Sequence, residues 1–270
     1  IEYLNRNVRI KQGSYEDCGD MDIIVITAGA PPKQGQSRLD TLELTAKICK
    51  SIVDPIMKSG FDGIFIAVSN PVDIIAHYIY KLSGLPKNQV IGSGTAIDSA
   101  RLQEYIAELA QVDPRSVHAY SMGEHGDSQM VPWSTVTVGG KPFYDVIQDN
   151  KELVGDVDLD ELVYKTTQKG WEILNRKGTT YYGIATACAG IIKAILNDEN
   201  RIIPVSTLLE GEYGEKDVYA GVPTVLNRQG AFDVLEIHMT PGELARFKES
   251  TKVIRKYTEK IMEYDAKLSK

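Results

Sequence analysis

Short β-branched runs alternate with longer helix-like stretches through the first part of this chain, and that order limits the possible folds more than any other feature. Strand, helix, strand in this rhythm calls for a parallel sheet with helices on its faces. Asp22-Ile23-Ile24-Val25-Ile26-Thr27 reads as one buried strand, ended by Ala28-Gly29-Ala30. Gly63-Ile64-Phe65-Ile66-Ala67-Val68 reads as a second, and Val90-Ile91-Gly92 as a shorter third. Between the first two, apolar positions that include Leu42, Ile48, Ile52 and Ile56 predict a helix over about 39–59. Pro55 is expected to bend or break it, because proline lacks the backbone donor and crowds the preceding turn.

From about Val117 the pattern turns to strands in hairpin order, with Gly139-Gly140 as a turn, and then to helices over 159–176 and 182–196. Further strands are expected over 202–208, 218–224 and 234–237, followed by an amphipathic helix over 241–268. Thr240 with Glu243 three residues on has the form of a capping box for that last helix. The second sheet is expected to be antiparallel. No internal repeat or low-complexity linker interrupts the 270 residues, so two lobes sharing one interface fit better than two independent domains.

Composition narrows the partners. A net charge of −7, with Lys and Arg scattered among acidic residues, excludes the basic face that nucleic acid requires and favours small-molecule chemistry. Cys18, Cys49 and Cys188 are odd in number and far apart, without the paired spacing of a zinc site. Free thiols, no metal and a reducing compartment are expected, with the cytoplasm as the default. No apolar run approaches the roughly 20 residues that cross a bilayer, and Ile1-Glu2-Tyr3-Leu4-Asn5-Arg6 lacks the order of a signal peptide. The absence of an initial Met points to further residues upstream.

Four stretches carry candidate chemistry. In Gly123-Glu124-His125-Gly126-Asp127-Ser128, a histidine set between glycines in a loop after a strand is placed to titrate in a cleft, and His125 is the candidate general acid/base; a hydrogen-bonded structural histidine is the plainer alternative. In Gly94-Thr95-Ala96-Ile97-Asp98-Ser99-Ala100-Arg101, Asp98 and Arg101 stand three apart on one helical face. Asp98 could hold an imidazole in one tautomer while Arg101 grips a carboxylate through two parallel bonds; a helix cap and a surface ion pair would explain the same residues. Ser69-Asn70-Pro71-Val72-Asp73 leaves the end of a parallel strand, where open α/β sheets bind ligands, although Asn-Pro also makes an ordinary turn. The polar stretch from Ala30 to Asp40 leaves another strand end. As a lid it would bring Arg38 over a substrate, and as a solvated loop it would do nothing.

The strings TAGAPPKQGQSRLD, SNPVD, GSGTAIDSAR, GEHGDS and RKGTTYYGIA, in this order and spacing, resemble those of the L-lactate and malate dehydrogenase family across nearly the whole chain. The segment NDENRIIPVSTLLEGEYGEKDVYAGVPTVLNRQG is more similar to the bacterial lactate branch than to the malate branch. The resemblance implies an α/β fold: a Rossmann-type doubly wound parallel sheet in residues 1–94, with a substrate-binding α+β domain in 95–270. It implies a homotetramer or homodimer, NAD as cofactor, and reversible hydride transfer between NADH and a 2-oxo acid, pyruvate to L-lactate. His125 would move the proton, Asp98 orient it, Arg101 hold the substrate carboxylate, and Arg38 polarise the carbonyl on closure. Asn70 would position substrate and nicotinamide, and Thr180 would line the substrate pocket. Gly29, Ala30, Val68, Ser69 and Asn70 would line the cofactor, with Ser51 and Ser93 as lesser candidates.

Three departures qualify the resemblance. Pro32 stands where the lactate enzymes usually carry glutamine and the malate enzymes arginine. A proline offers no charge to a second carboxylate, so a diacid is disfavoured and a broader L-2-hydroxycarboxylate enzyme, of the 2-hydroxyisocaproate type, is the alternative within the class. Gln103 replaces one cation of the pair that binds fructose 1,6-bisphosphate in many bacterial relatives, leaving His118 alone, so that activation is not expected. The glycine-rich turn and the acidic ribose ligand of the family lie upstream of Ile1, so about 50 residues with the first βαβ unit are expected there. Without them, a cofactor-free inactive fragment is the alternative outside the enzyme class.

Overall fold

The computed structural model describes residues 9–30 and 41–268. Strand β1 (Ile23–Ile26), helix α1 (Leu42–Lys58), β2 (Ile64–Ala67), α2 (Val72–Ser83) and β3 (Val90–Gly92) follow in turn. β1, β2 and β3 pair in parallel, Ile26 opposite Ala67 and Ala67 opposite Gly92, so their carboxyl ends open on one edge. The β2 run is apolar because both its faces are covered, every residue being buried, whereas β1, expected as a buried strand, is the outermost described strand and buries only Ile26, with Val25 exposed.

Next come α3 (Ala96–Ala110), the short strands β4 (Val117–His118), β5 (Thr137–Val138) and β6 (Lys141–Pro142), and the short helices α4 (Phe143–Asp149) and α5 (Lys151–Val154). The chain then runs through α6 (Leu159–Lys177), α7 (Tyr182–Leu196), β7 (Arg201–Glu210), β8 (Lys216–Asn227), β9 (Gly230–Val234) and α8 (Pro241–Leu268). β4–β6 form a small antiparallel sheet. The antiparallel meander β7–β9 continues the parallel sheet, in the order β1-β2-β3-β7-β8-β9, through one antiparallel bridge, Gly92 opposite Ser206. The two sheet halves thus share a spine. A Cβ at Gly92 would stand 2.8 Å from the Ser206 Cβ, so glycine is what lets the strands meet there.

Two further expectations need correction. Pro55 lies inside α1 without ending it. It falls in the last turn, and the carbonyl that loses its donor belongs to exposed Ser51, where water can replace the bond. The strand expected over 234–237 ends at Val234 instead. The β8–β9 pairing is set by the turn that closes Asn227 against Gly230, whose φ of +97° suits glycine. Past Val234 the chain turns to other partners: Ile237 N–H donates to the Tyr213 hydroxyl at 3.0 Å, and Glu236 accepts from the Tyr213 N–H. The capping box of α8 forms as expected, with Thr240 N–H to Glu243 Oε2 at 2.8 Å and Glu243 N–H to Thr240 Oγ1 at 3.3 Å.

α2 is almost wholly buried between the sheet and α8, and it carries His77 into an apolar setting beside Tyr219, with ring centroids 5.4 Å apart. Burial, with help from Lys81 and Arg255, pushes His77 down to about 4 against the pull of Asp217, whose Oδ1 lies 3.4 Å from Nε2. The folded state therefore resists a proton that the unfolded chain accepts near its ordinary 6.5. Stability should be full above pH 6.5 and fall as pH drops toward 4, by about 3 kcal/mol at the limit. Urea denaturation of the His77→Phe variant across that range should lose this part of the acid sensitivity; an unchanged pH slope would remove His77 as its source.

Candidate active site

A cleft of about 720 Å³ opens at the carboxyl ends of β1, β2 and β3, the place where open α/β sheets bind ligands. Its floor is three strand exits: Thr27, Gly29 and Ala30 after β1, Val68-Ser69-Asn70 after β2, and Ser93 after β3. Its opposite wall is apolar and comes from Ile97 of α3, Trp171 and Leu174 of α6, and Ile184 and Cys188 of α7. His125, Arg101 and Thr180 also line it.

The charged centre is assembled from α3 and one loop. Asp98 is fully buried, and its two carboxylate oxygens face different side chains. Oδ2 meets His125 Nδ1 at 2.5 Å and Oδ1 meets Arg101 Nη1 at 3.2 Å. Asp98 does not cap α3; the capping position is Thr95. With Nδ1–H donating to a buried carboxylate, the imidazole is held with Nε2 as its other polar atom. The Arg101 and His125 side chains are only 14% and 13% exposed, so their contacts with Asp98 are little screened by solvent.

The His125 loop is held at several points. Met122 and Met130 close it with two backbone hydrogen bonds, and Gly123 bonds Gly221 of β8 in both directions. Gly123 has φ +90°, and a Cβ there would stand 2.4 Å from Ser250 Oγ, so no other residue fits that corner. Ser250 Oγ accepts the Glu124 N–H at 2.8 Å, and Asp73 Oδ2 accepts the His125 N–H at 2.8 Å. Beneath the loop, Ser121 donates to Gln129, which donates to Thr167 of α6 at 2.8 Å.

The structure brings His125, Asp98, Arg101, Asn70, Thr180, Gly29, Ala30, Val68, Ser69 and Ser93 into or beside one cleft. Ser69 spends its hydroxyl inward, donating to Ala28 O at 2.5 Å, and so ties two strand exits together. Ala30 N–H donates to Thr45 Oγ1 at 3.1 Å. Ser51 is not part of the group: it is exposed on α1 and donates to Ile48 O within the helix. Arg38 and Pro32 lie outside the described residues. The apolar wall and Asp73 were not singled out as site residues from sequence. Helical spacing makes Leu174, Ile184 and Cys188 look like ordinary core, and only their place opposite the strand exits distinguishes them.

A parallel sheet whose strand ends open on a cleft, with a carboxylate-backed histidine and an arginine facing it, is the arrangement of an α/β enzyme site able to bind a small anion and to exchange a proton. Residues 2–92 match the NAD-binding domain of lactate/malate dehydrogenases, and residues 95–264 match the α/β C-terminal domain of the same family. The chain belongs to the lactate/malate dehydrogenase family and is an NAD-dependent hydroxyacid dehydrogenase. It is 54% identical over 261 residues to L-lactate dehydrogenase 3 of Bacillus anthracis, covering 97% of this chain and 83% of that protein. L-lactate dehydrogenase 1 of Bifidobacterium longum is 46% identical over the same shares. The crystal structure of the minor L-lactate dehydrogenase from Enterococcus mundtii, in its ligand-bound form, superposes with a TM-score of 0.90 at 42% identity, over 95% of this chain and 82% of that one.

Proposed function

We propose that the protein is an L-lactate dehydrogenase, reducing pyruvate to L-lactate and running in reverse, with the parts of the cleft in defined roles. The observation that carries this reading is the single buried carboxylate of Asp98 held between His125 and Arg101. Arg101 has a planar guanidinium that can take a substrate carboxylate through two bonds and so sets the keto carbon in one place. His125 gives its Nε2 proton to the carbonyl oxygen as negative charge develops there, and Asp98 stabilises the proton before transfer. In the oxidation direction the same nitrogen takes the hydroxyl proton. Asn70, exposed at the β2 exit, orients the substrate, and Thr180 borders it. Arg38, outside the described residues, is given the task of polarising the carbonyl by the family resemblance alone.

The cleft fits the nicotinamide half of NAD. Gly29 presents bare backbone where a Cβ would press on Thr45 Cγ2 at 3.2 Å, and Ile97, Leu174 and Ile184 offer an apolar face for a flat ring. Gly29, Ala30, Val68, Ser69, Asn70 and Ser93 would hold it, largely through main-chain atoms. When bound there, the cofactor supplies or receives the hydride. The same reading takes residues 1–94 as the nucleotide lobe and 95–270 as the substrate lobe, with the chain assembling as a homotetramer or homodimer in the cytoplasm. The same reading expects no activation by fructose 1,6-bisphosphate, since the family's cation is replaced by Gln103, whose Nε2 donates to Ala119 O at 3.0 Å, while His118 is exposed.

NADH oxidation followed at 340 nm with pyruvate, oxaloacetate and 2-oxoisocaproate tests the assignment (the wavelength being roughly where reduced nicotinamide absorbs). Pyruvate should exceed oxaloacetate in kcat/KM by roughly a hundredfold, because Pro32 leaves a second carboxylate without a counter-charge. A preference for oxaloacetate, or turnover with none of the three, would overturn it.

A further inference from the structure

The His125 loop is tied to α2 by a contact between residues 52 apart in the chain, the 2.8 Å hydrogen bond from the His125 N–H to Asp73 Oδ2. Asp73 is 2% exposed, sits in the first turn of α2, and leaves its other oxygen, Oδ1, without a hydrogen bond. The Ser206 hydroxyl approaches this carboxylate without reaching hydrogen-bond geometry and is itself unpartnered. A buried acid with half its hydrogen-bonding capacity unused is costly as a purely structural device. An amide or hydroxyl could accept one N–H more cheaply. What the acid adds is charge, delivered to the backbone of the one loop that must carry a protonated imidazole.

We propose that Asp73 is a positioning residue for the reaction: in its ionised form it fixes the main chain of His125 and supplies, with Asp98, a second buried negative charge that favours the protonated imidazole. This rests on the assignment of His125 as the proton carrier. The other charged groups around the pair are Asp98 and Arg101 from α3 and Glu124 from the loop itself. Burial pushes Asp73 up to about 6, opposed by Ser206, by the His125 N–H and by the charge on His125. Asp73 therefore gains a proton as pH falls through that value, and its support for His125 is lost on the acid side.

The consequence is readable without turnover. In the full chain, NMR titration of the ring protons should place the His125 midpoint at lower pH in Asp73→Asn than in the parent protein, since the amide keeps an acceptor but not the charge. The His125→Gln spectrum identifies the resonance among the four histidines. In pyruvate reduction, Asp73→Asn should lower kcat roughly 10- to 100-fold with KM within about threefold, because the Arg101 grip is untouched. Should Asp73→Asn fold poorly, Ser206→Ala removes the buried hydroxyl beside the Asp73 carboxylate that opposes its uptake of a proton; it should move the acid limb of the kcat/KM profile to higher pH. Coincident His125 titrations for the parent and Asp73→Asn, or an acid limb unmoved in Ser206→Ala, would overturn the proposal. A parent protein inactive on every 2-oxo acid would instead overturn the functional assignment, while the ring titration still decides the role of Asp73.

Discussion

Replacing His125 with glutamine should lower kcat for pyruvate reduction by roughly 10²- to 10⁴-fold, the range that a positioned general acid contributes, while KM changes only a few-fold. Glutamine keeps a hydrogen-bonding side chain near Asp98 but has no titrating nitrogen to hand over. The pH dependence due to that proton should vanish with it. Steady-state rates of NADH oxidation between pH 5.5 and 9, roughly the span in which a histidine changes charge, measure both effects. A variant that keeps its KM for pyruvate and loses its rate has lost an interaction made in the transition state. One that loses binding alone would return His125 to a structural role.

Replacing Arg101 with glutamine should act on both sides of the reaction. The substrate loses its carboxylate clamp and Asp98 Oδ1 loses its 3.2 Å partner, leaving a buried acid half compensated. Losing one member of a buried charge pair costs roughly 2–5 kcal/mol, so kcat/KM should fall by about 10²- to 10³-fold, mostly through KM. Arg101→Lys should recover little, because an ammonium keeps the charge but not the planar fork. Full activity in Arg101→Lys would mean that charge alone is needed and that the two-bond grip is wrong.

The part of this machinery that could be read from sequence is the part built within one element. Asp98 and Arg101 share a helical face because they are three apart, and that geometry holds in any α-helix. β1 and β2 are legible because parallel strands are continuous apolar runs, here closed by Gly29 and by Ser69-Asn70, although only β2 is buried throughout. The function of Asp73 was not legible. Its partner is a main-chain N–H on a distant loop, and main-chain contacts leave no mark on residue type. The same holds for the apolar wall, whose side chains differ from core only in facing the strand exits. The strand misplaced over 234–237 shows the converse: Val234-Leu235-Glu236-Ile237 alternates like a strand, yet pairing is decided upstream at Gly230. A Cβ at Gly230 would meet Asn88 O at 2.0 Å, so that turn cannot slide to suit the pattern after it.

Among the described residues no helix is long and apolar enough to cross a membrane.

The direct test of the Asp98 bridge is a double-mutant cycle on kcat/KM for pyruvate, combining His125→Gln with Asp98→Asn. If the carboxylate acts through the imidazole, the double variant should fall no more than about threefold below the worse single one, since the second change removes nothing that still functions. Losses that multiply in full would show two independent contributions, and a proton carrier backed by Asp98 would no longer describe this cleft.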